Sequence, residues 1–225
     1  MVVIFLHFLH LFSISFFYHC GMKIVIFGAN GRVGLQTVKR ALEKGHKVTA
    51  FVRNKDSISL LHVNLTVLVG DAMGQEAVSK AVKGQDVVIS CLSSSENSLR
   101  QVFVNHIINA MREHKVRRLI AIGGIGALQA SEHLKVYETV TFPQEYIGVS
   151  QAHVRVLDAL LTSRLDFTFV CPPMIPDGER TGVYKTQSNY PTQGWSVTTG
   201  DIADFMINEL ELNNFVGCRV GISNS

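Results

Sequence analysis

The residues with the clearest chemical use are seven in a row, Gly28-Ala29-Asn30-Gly31-Arg32-Val33-Gly34. Glycines at this spacing leave backbone N–H groups open to a large anion and remove the side chains that would hold it away. With a strand before and a helix after, that anion is the pyrophosphate of a dinucleotide, and the third glycine lets helix and strand pack closely. A plain tight turn in another α/β fold is the other reading. Arg53, in Phe51-Val52-Arg53-Asn54, stands where the second strand of such a unit ends. An acidic residue there would bond the ribose 2′-hydroxyl and select NAD. A guanidinium forks onto a 2′-phosphate instead, so NADP (NADPH) is expected and NAD is possible. Arg32 assists from inside the turn or faces solvent. Asp71, followed by Ala72, either accepts from the adenine amino group or caps the next helix.

The elements that must position these groups follow an alternating pattern. Apolar, β-branched runs at 23–27, 47–52, 65–69, 86–92, 118–122 and 167–171 read as strands. Helical spacing at 31–44, 75–83, 97–114 and 144–163 falls between them, with Gly45 placed as a helix-terminating glycine. Alternation of this kind predicts an α/β, Rossmann-like, doubly wound parallel sheet. From Met174 the chain turns irregular through Trp195. Thr198 is then placed to cap a helix containing Ile202, Phe205, Met206 and Leu210, and 218–222 is a candidate last strand. This tail is expected to form a small C-terminal cap on the substrate side of the sheet.

The 225 residues, 47% of them hydrophobic, suffice for one core. A net charge of +3 does not suggest nucleic acid. The local cluster Arg112, Lys115, Arg117 and Arg118 reads as a helix end and a solvated turn. The cysteines Cys20, Cys91, Cys171 and Cys218 show no metal spacing and no disulfide framework, which suits a reducing, cytoplasmic location. Residues 1–20 carry no Lys, Arg, Asp or Glu. They form an apolar extension over 1–21 outside the functional domain at 22–225, a membrane anchor, or an extra packed element. Membrane contact is expected only under the second of these. The expected partner is a small-molecule substrate, and the chain is expected to be a monomer or dimer.

Taken together, Gly28–Gly34 after Met22-Lys23-Ile24-Val25-Ile26-Phe27, then Arg53, Gly70-Asp71-Ala72, Gly84-Gln85-Asp86, His153-Val154-Arg155, Cys171-Pro172-Pro173-Met174-Ile175 and Asp201-Ile202-Ala203-Asp204-Phe205-Met206 resemble a known group. They are similar to the atypical short-chain dehydrogenase/reductase proteins that bind NAD(P), in the flavin reductase and biliverdin-IXβ reductase branch. The resemblance implies NADPH across the C-terminal ends of the strands. Its lining would be residues Gly28, Ala29, Asn30, Gly31, Arg32, Val33, Gly34, Arg53, Asp71, Ala72, Leu92, Ser93, Gly123, Pro172, Pro173, Met174 and Ile175. It implies hydride transfer to a flavin-like or other planar acceptor.

The chain also departs from that group. None of its five tyrosines has a lysine four residues later, so the proton-donating Tyr-Lys pair of ordinary short-chain dehydrogenases is missing. The Ser or Thr that the branch carries after the fifth strand is replaced by Gly123-Gly124. His153 is the remaining polar candidate for catalysis, as an imidazole that donates a proton near neutrality, or else a structural histidine bonded to backbone. Tyr146 and Tyr137 are weaker candidates, and Trp195 and Tyr184 are candidates to wall an aromatic substrate. The missing groups leave open a non-catalytic NADP-binding regulator. A sugar-nucleotide epimerase is disfavoured by the missing Tyr-Lys pair.

Overall fold

The computed structural model describes residues 21–94 and 96–224. The stretch at 1–20, with the readings attached to it, lies outside the described residues. The first strand, β1 (Lys23–Phe27), is buried at every position after Lys23. Val25 and Phe27 enter one hydrophobic core while Ile24 and Ile26 enter another. Successive side chains in a strand face opposite ways, so a sheet covered on both faces requires an unbroken apolar run. The remaining strands are β2 (Lys47–Val52), β3 (Leu65–Val69), β4 (Val87–Ser90), β5 (Arg118–Ile122), β6 (Asp166–Cys171), β7 (Lys185–Ser188) and β8 (Cys218–Ser223). They form one sheet in the order β3-β2-β1-β4-β5-β6-β8-β7. Every neighbouring pair is parallel except β7 with β8.

Helices cover both faces. On one side α1 (Arg32–Glu43) and α5 (Thr199–Leu212) bury Val38, Leu42, Ile202 and Met206. On the other, α2 (Gln75–Val82), α3 (Asn97–Glu113) and α4 (Ile147–Ser163) bury Val78, Ile107, Met111, Leu157 and Leu160. Helix α1 ends as its sequence requires: Gly45 takes φ +79°, and its N–H and that of His46 bond back to Leu42 and Ala41 carbonyls. The strand order reverses between β1 and β4, where doubly wound sheets open a crevice at their C-terminal ends.

The tail holds what the sequence hides. Thr198 caps α5 as expected, accepting from Asp201 N–H at 3.1 Å. The loops at 172–176 and 195 do stand beside the sheet's C-terminal end, but β7, α5 and β8 are built into the sheet and its helical cover. Strand β7 reads Lys-Thr-Gln-Ser, with no apolar alternation to mark it. At the sheet's edge it needs no buried face, and its polar side chains discourage further pairing. The basic cluster is held internally. Arg117 pairs with Asp166 at 2.9 and 3.0 Å, Arg118 with buried Glu209 at 3.0 Å, and Arg112 donates to the Ser163 carbonyl. Among the described residues no helix is long and apolar enough to cross a membrane.

Candidate functional site

The glycine turn joins β1 to α1 at the point of strand reversal. Gly28 adopts φ +71°, and a Cβ there would stand 2.7 Å from the Cys91 carbonyl oxygen. Left-handed backbone and close approach together require glycine. Gly34 is tighter still: its Cβ would come 2.0 Å from the Gly28 carbonyl oxygen, so the first turn of α1 lies directly on the end of β1. No side chain caps the N-terminus of α1, and its first turn carries no acidic residue. The leading N–H groups and the positive end of the helix dipole thus face the crevice uncommitted, which fits an anion such as pyrophosphate.

Two clefts lie at the C-terminal ends of the strands. The first, about 480 Å³, is lined by Gly28, Asn30, Gly31, Arg53, Asp71, Ala72, Leu92 and Ser93 among others. Arg53 is exposed at its wall and takes part in no ion pair among the described residues. Asp71 is not a helix cap, because Gly74 holds that position in α2. Its Oδ1 instead accepts from Met73 N–H at 2.9 Å, shaping the turn beside the cleft. Strand β4 ends at Ser90, which leaves Cys91 and Leu92 to bend against Gly28 and line the cleft. Burial pushes the Cys91 thiol up to about 12, so it stays protonated and unreactive. Ala29 and Val33 turn inward onto the α1–α5 core and contribute backbone only. The Arg32 guanidinium reaches across to the Ile175 carbonyl at 3.0 Å and to Asp177 at 3.1 Å, tying the glycine turn to the loop after β6.

The second cleft, about 420 Å³, lies beyond the ends of β5 and β6. Gly123, Pro172, Pro173, Met174, Ile175 and His153 all line it, with Tyr146 and Trp195. Tyr137 is outside its lining. Tyr184 is a packing residue, not a wall: its hydroxyl donates to Asp204 at 3.0 Å, and its ring meets Phe205 edge-on at 6.2 Å.

The structure explains Gly123-Gly124. A Cβ on Gly123 would stand 2.3 Å from the Phe169 ring, and one on Gly124 would stand 2.7 Å from His153 Nδ1. Side chains from β6 and α4 fill the places where a serine or threonine would sit. The imidazole therefore occupies the ground of the missing hydroxyl. No hydrogen bond holds it among the described residues, so the backbone-bonded structural reading does not apply. The expectation that it donates a proton near neutrality is also corrected. Burial, with the Arg100 charge adding to it, lowers its pKa to about 4. His153 is neutral at pH 7 and offers a hydrogen bond, not a cation.

This shift makes stability depend on pH. The folded value of about 4 lies below the free value of 6.5, so between them the unfolded chain binds the extra proton. Stability from this group is complete above about pH 6.5 and is lost as pH falls toward 4. Urea denaturation at pH 7 and pH 4.5 should show wild type losing about 2 kcal/mol more than His153→Gln. Equal losses would refute the assignment.

A profile of the family described as NAD(P)H-binding matches residues 28–212. The chain belongs to that family. As an NAD(P)H-binding protein it is 30% identical over 171 residues to the uncharacterised YwnB protein of Bacillus subtilis, covering 73% of this chain and 78% of YwnB. Among solved structures, it matches a Streptococcus pneumoniae protein provisionally described as an NADH-flavin reductase, with TM-score 0.80 and 27% identity over 91% of this chain and all of the other. It also matches a Bacteroides thetaiotaomicron protein provisionally described as an epimerase, with TM-score 0.82 and 26% identity over 91% and 97% of the two chains. The Rossmann-like fold and the atypical short-chain dehydrogenase/reductase character expected from sequence are thereby established, with a nicotinamide dinucleotide as cofactor. Among the described residues no cluster of His, Cys, Asp and Glu is suited to a metal.

Proposed function

We propose that this protein is an NADPH-dependent oxidoreductase whose planar acceptor lies in the second cleft. The observation that carries this reading is the presence of two clefts at the C-terminal ends of the strands, the first straddling the strand reversal and the second beyond β5 and β6. The first has a glycine floor and Arg53, which makes no ion pair among the described residues; the second is largely apolar. The first is suited to the adenosine and pyrophosphate half of the dinucleotide, with Arg53 on the 2′-phosphate. Bound there, the dinucleotide supplies a hydride from its nicotinamide ring. The protein's part is to orient both partners and keep water away. Neutral His153 provides a hydrogen bond at the boundary of the second cleft. An acceptor whose rings take a hydride and stabilise the resulting charge by conjugation needs no protein acid. The missing Tyr-Lys pair and hydroxyl are therefore compatible with turnover.

The test is a fluorescence titration of the full chain with NADPH and with NADH, followed by addition of menadione or riboflavin and measurement of absorbance at the nicotinamide band. NADPH binding tighter than NADH binding, with acceptor-dependent oxidation, is the expected result. Absence of binding by either nucleotide would overturn the reading. Tight binding with no oxidation would favour a regulator that binds NADP without catalysis, a reading supported by the filled hydroxyl positions at Gly123 and Gly124.

A further inference from the structure

The second cleft has a property that the fold class does not require: it is lined without a single Lys, Arg, Asp or Glu. Ile125, Val136, Phe142, Val149, Met174 and Trp195 supply apolar surface, and its polar groups are backbone, hydroxyls and an imidazole. Two neighbouring cations are directed away from it. Arg32 is held by Asp177 and the Ile175 carbonyl, and Arg100 lies outside the lining and donates to the Ser94 carbonyl at 2.7 Å. An anionic substrate group entering here would lose water and find no cation in the lining to bond, with the Arg100 charge felt only at the His153 end, which is unfavourable. The first cleft, by contrast, carries Arg53.

We propose that the second cleft selects uncharged planar acceptors, such as unsubstituted or alkylated quinones and unphosphorylated ring systems, and rejects acceptors bearing a sulfonate, carboxylate or phosphate on or near the ring. This rests on the hydride-transfer reading for its biological sense, though not for its test. The volume of about 420 Å³ is within the usual range for small-molecule sites and accommodates a fused two- or three-ring system. The His153 imidazole stays uncharged at pH 7 and does not reverse the selection.

Trp195 makes the test independent of catalysis. It is the chain's single tryptophan, stands at the rim of the cleft and is 82% exposed, so its fluorescence reports occupancy. The full chain, saturated with NADP⁺, would be titrated with menadione and with 1,4-naphthoquinone-2-sulfonate, and binding confirmed by calorimetry. Oxidation of NADPH would be measured with the same pair and with riboflavin against FMN. Menadione is expected to bind at least tenfold more tightly than the sulfonate, and its kcat/KM to be higher by a similar factor although the sulfonate is the easier to reduce. Selective binding of menadione without oxidation would uphold the charge selection while refuting the reductase reading. Equal or tighter binding of the sulfonate, or binding of neither quinone, would overturn the proposal.

Discussion

Gly34→Ala is expected to destabilise the fold by about 3 kcal/mol and to weaken NADPH binding by roughly tenfold or more. The reason is geometric. The added methyl would stand 2.0 Å from the Gly28 carbonyl oxygen and 2.9 Å from its carbon. Both obstacles are backbone, so no side chain can swing aside. Either α1 lifts from the end of β1 or the turn is rebuilt, and both displace the N–H groups that face the crevice. Gly31→Ala serves as the comparison, since its Cβ would lie 3.2 Å from the same oxygen and needs a far smaller adjustment. Urea denaturation and NADPH fluorescence titration of the two variants would check the ordering. Similar losses of stability for both would show that close packing of α1 on β1 is not what the third glycine provides.

Arg53→Ala is expected to weaken NADPH binding by about 10- to 100-fold and to leave NADH binding nearly unchanged. That range corresponds to a lost charge-assisted contact of roughly 1.5–3 kcal/mol. Arg53 follows β2, where it is exposed, lines the first cleft and is not tied to a carboxylate. It can turn to a phosphate without breaking an existing pair. Arg32 is differently placed, because a 2′-phosphate would have to compete with Asp177 and the Ile175 carbonyl for it. Parallel titrations with the two nucleotides decide the matter. An equal loss for both would mean that Arg53 supports the turn and does not read the phosphate.

Much of this was legible in the residues themselves, and the reasons are physical. Strands buried on both faces leave apolar runs such as Lys-Ile-Val-Ile-Phe, and tight βα turns need glycines, so β1, α1 and the first cleft stand out locally. Arg53 and Asp71 both line the first cleft, and both can be found from sequence because each directly follows, or lies close behind, a recognisable strand. The second cleft was harder to see as a whole. Its walls come from residues 123–126, 136–153, 172–175 and 195, and no period links them. Gly123-Gly124 reads in sequence as a loss, whereas in the fold Phe169 and His153 occupy the space. The histidine's environment was misjudged for a related reason: burial and a cation arriving from another helix lower its pKa, and neither is visible at residue 153 alone. Strand β7 escaped because edge position, not composition, makes it a strand.

The place of β8 between β6 and β7 has a consequence for how the chain is made. Strand β7 is synthesised before β8, its one pairing partner among the described residues, and β6 likewise waits for its second neighbour. Residue 224 then ties the rim together, with Asn224 N–H donating to the Ser196 carbonyl and its Oδ1 accepting from Thr198 N–H. The rim of the second cleft around Trp195 is therefore completed only after residues 218–224 have emerged, and α1 likewise waits for α5 to cover its apolar face. Vectorial synthesis thus finishes both the cover of the glycine-turn helix and the rim of the second cleft late.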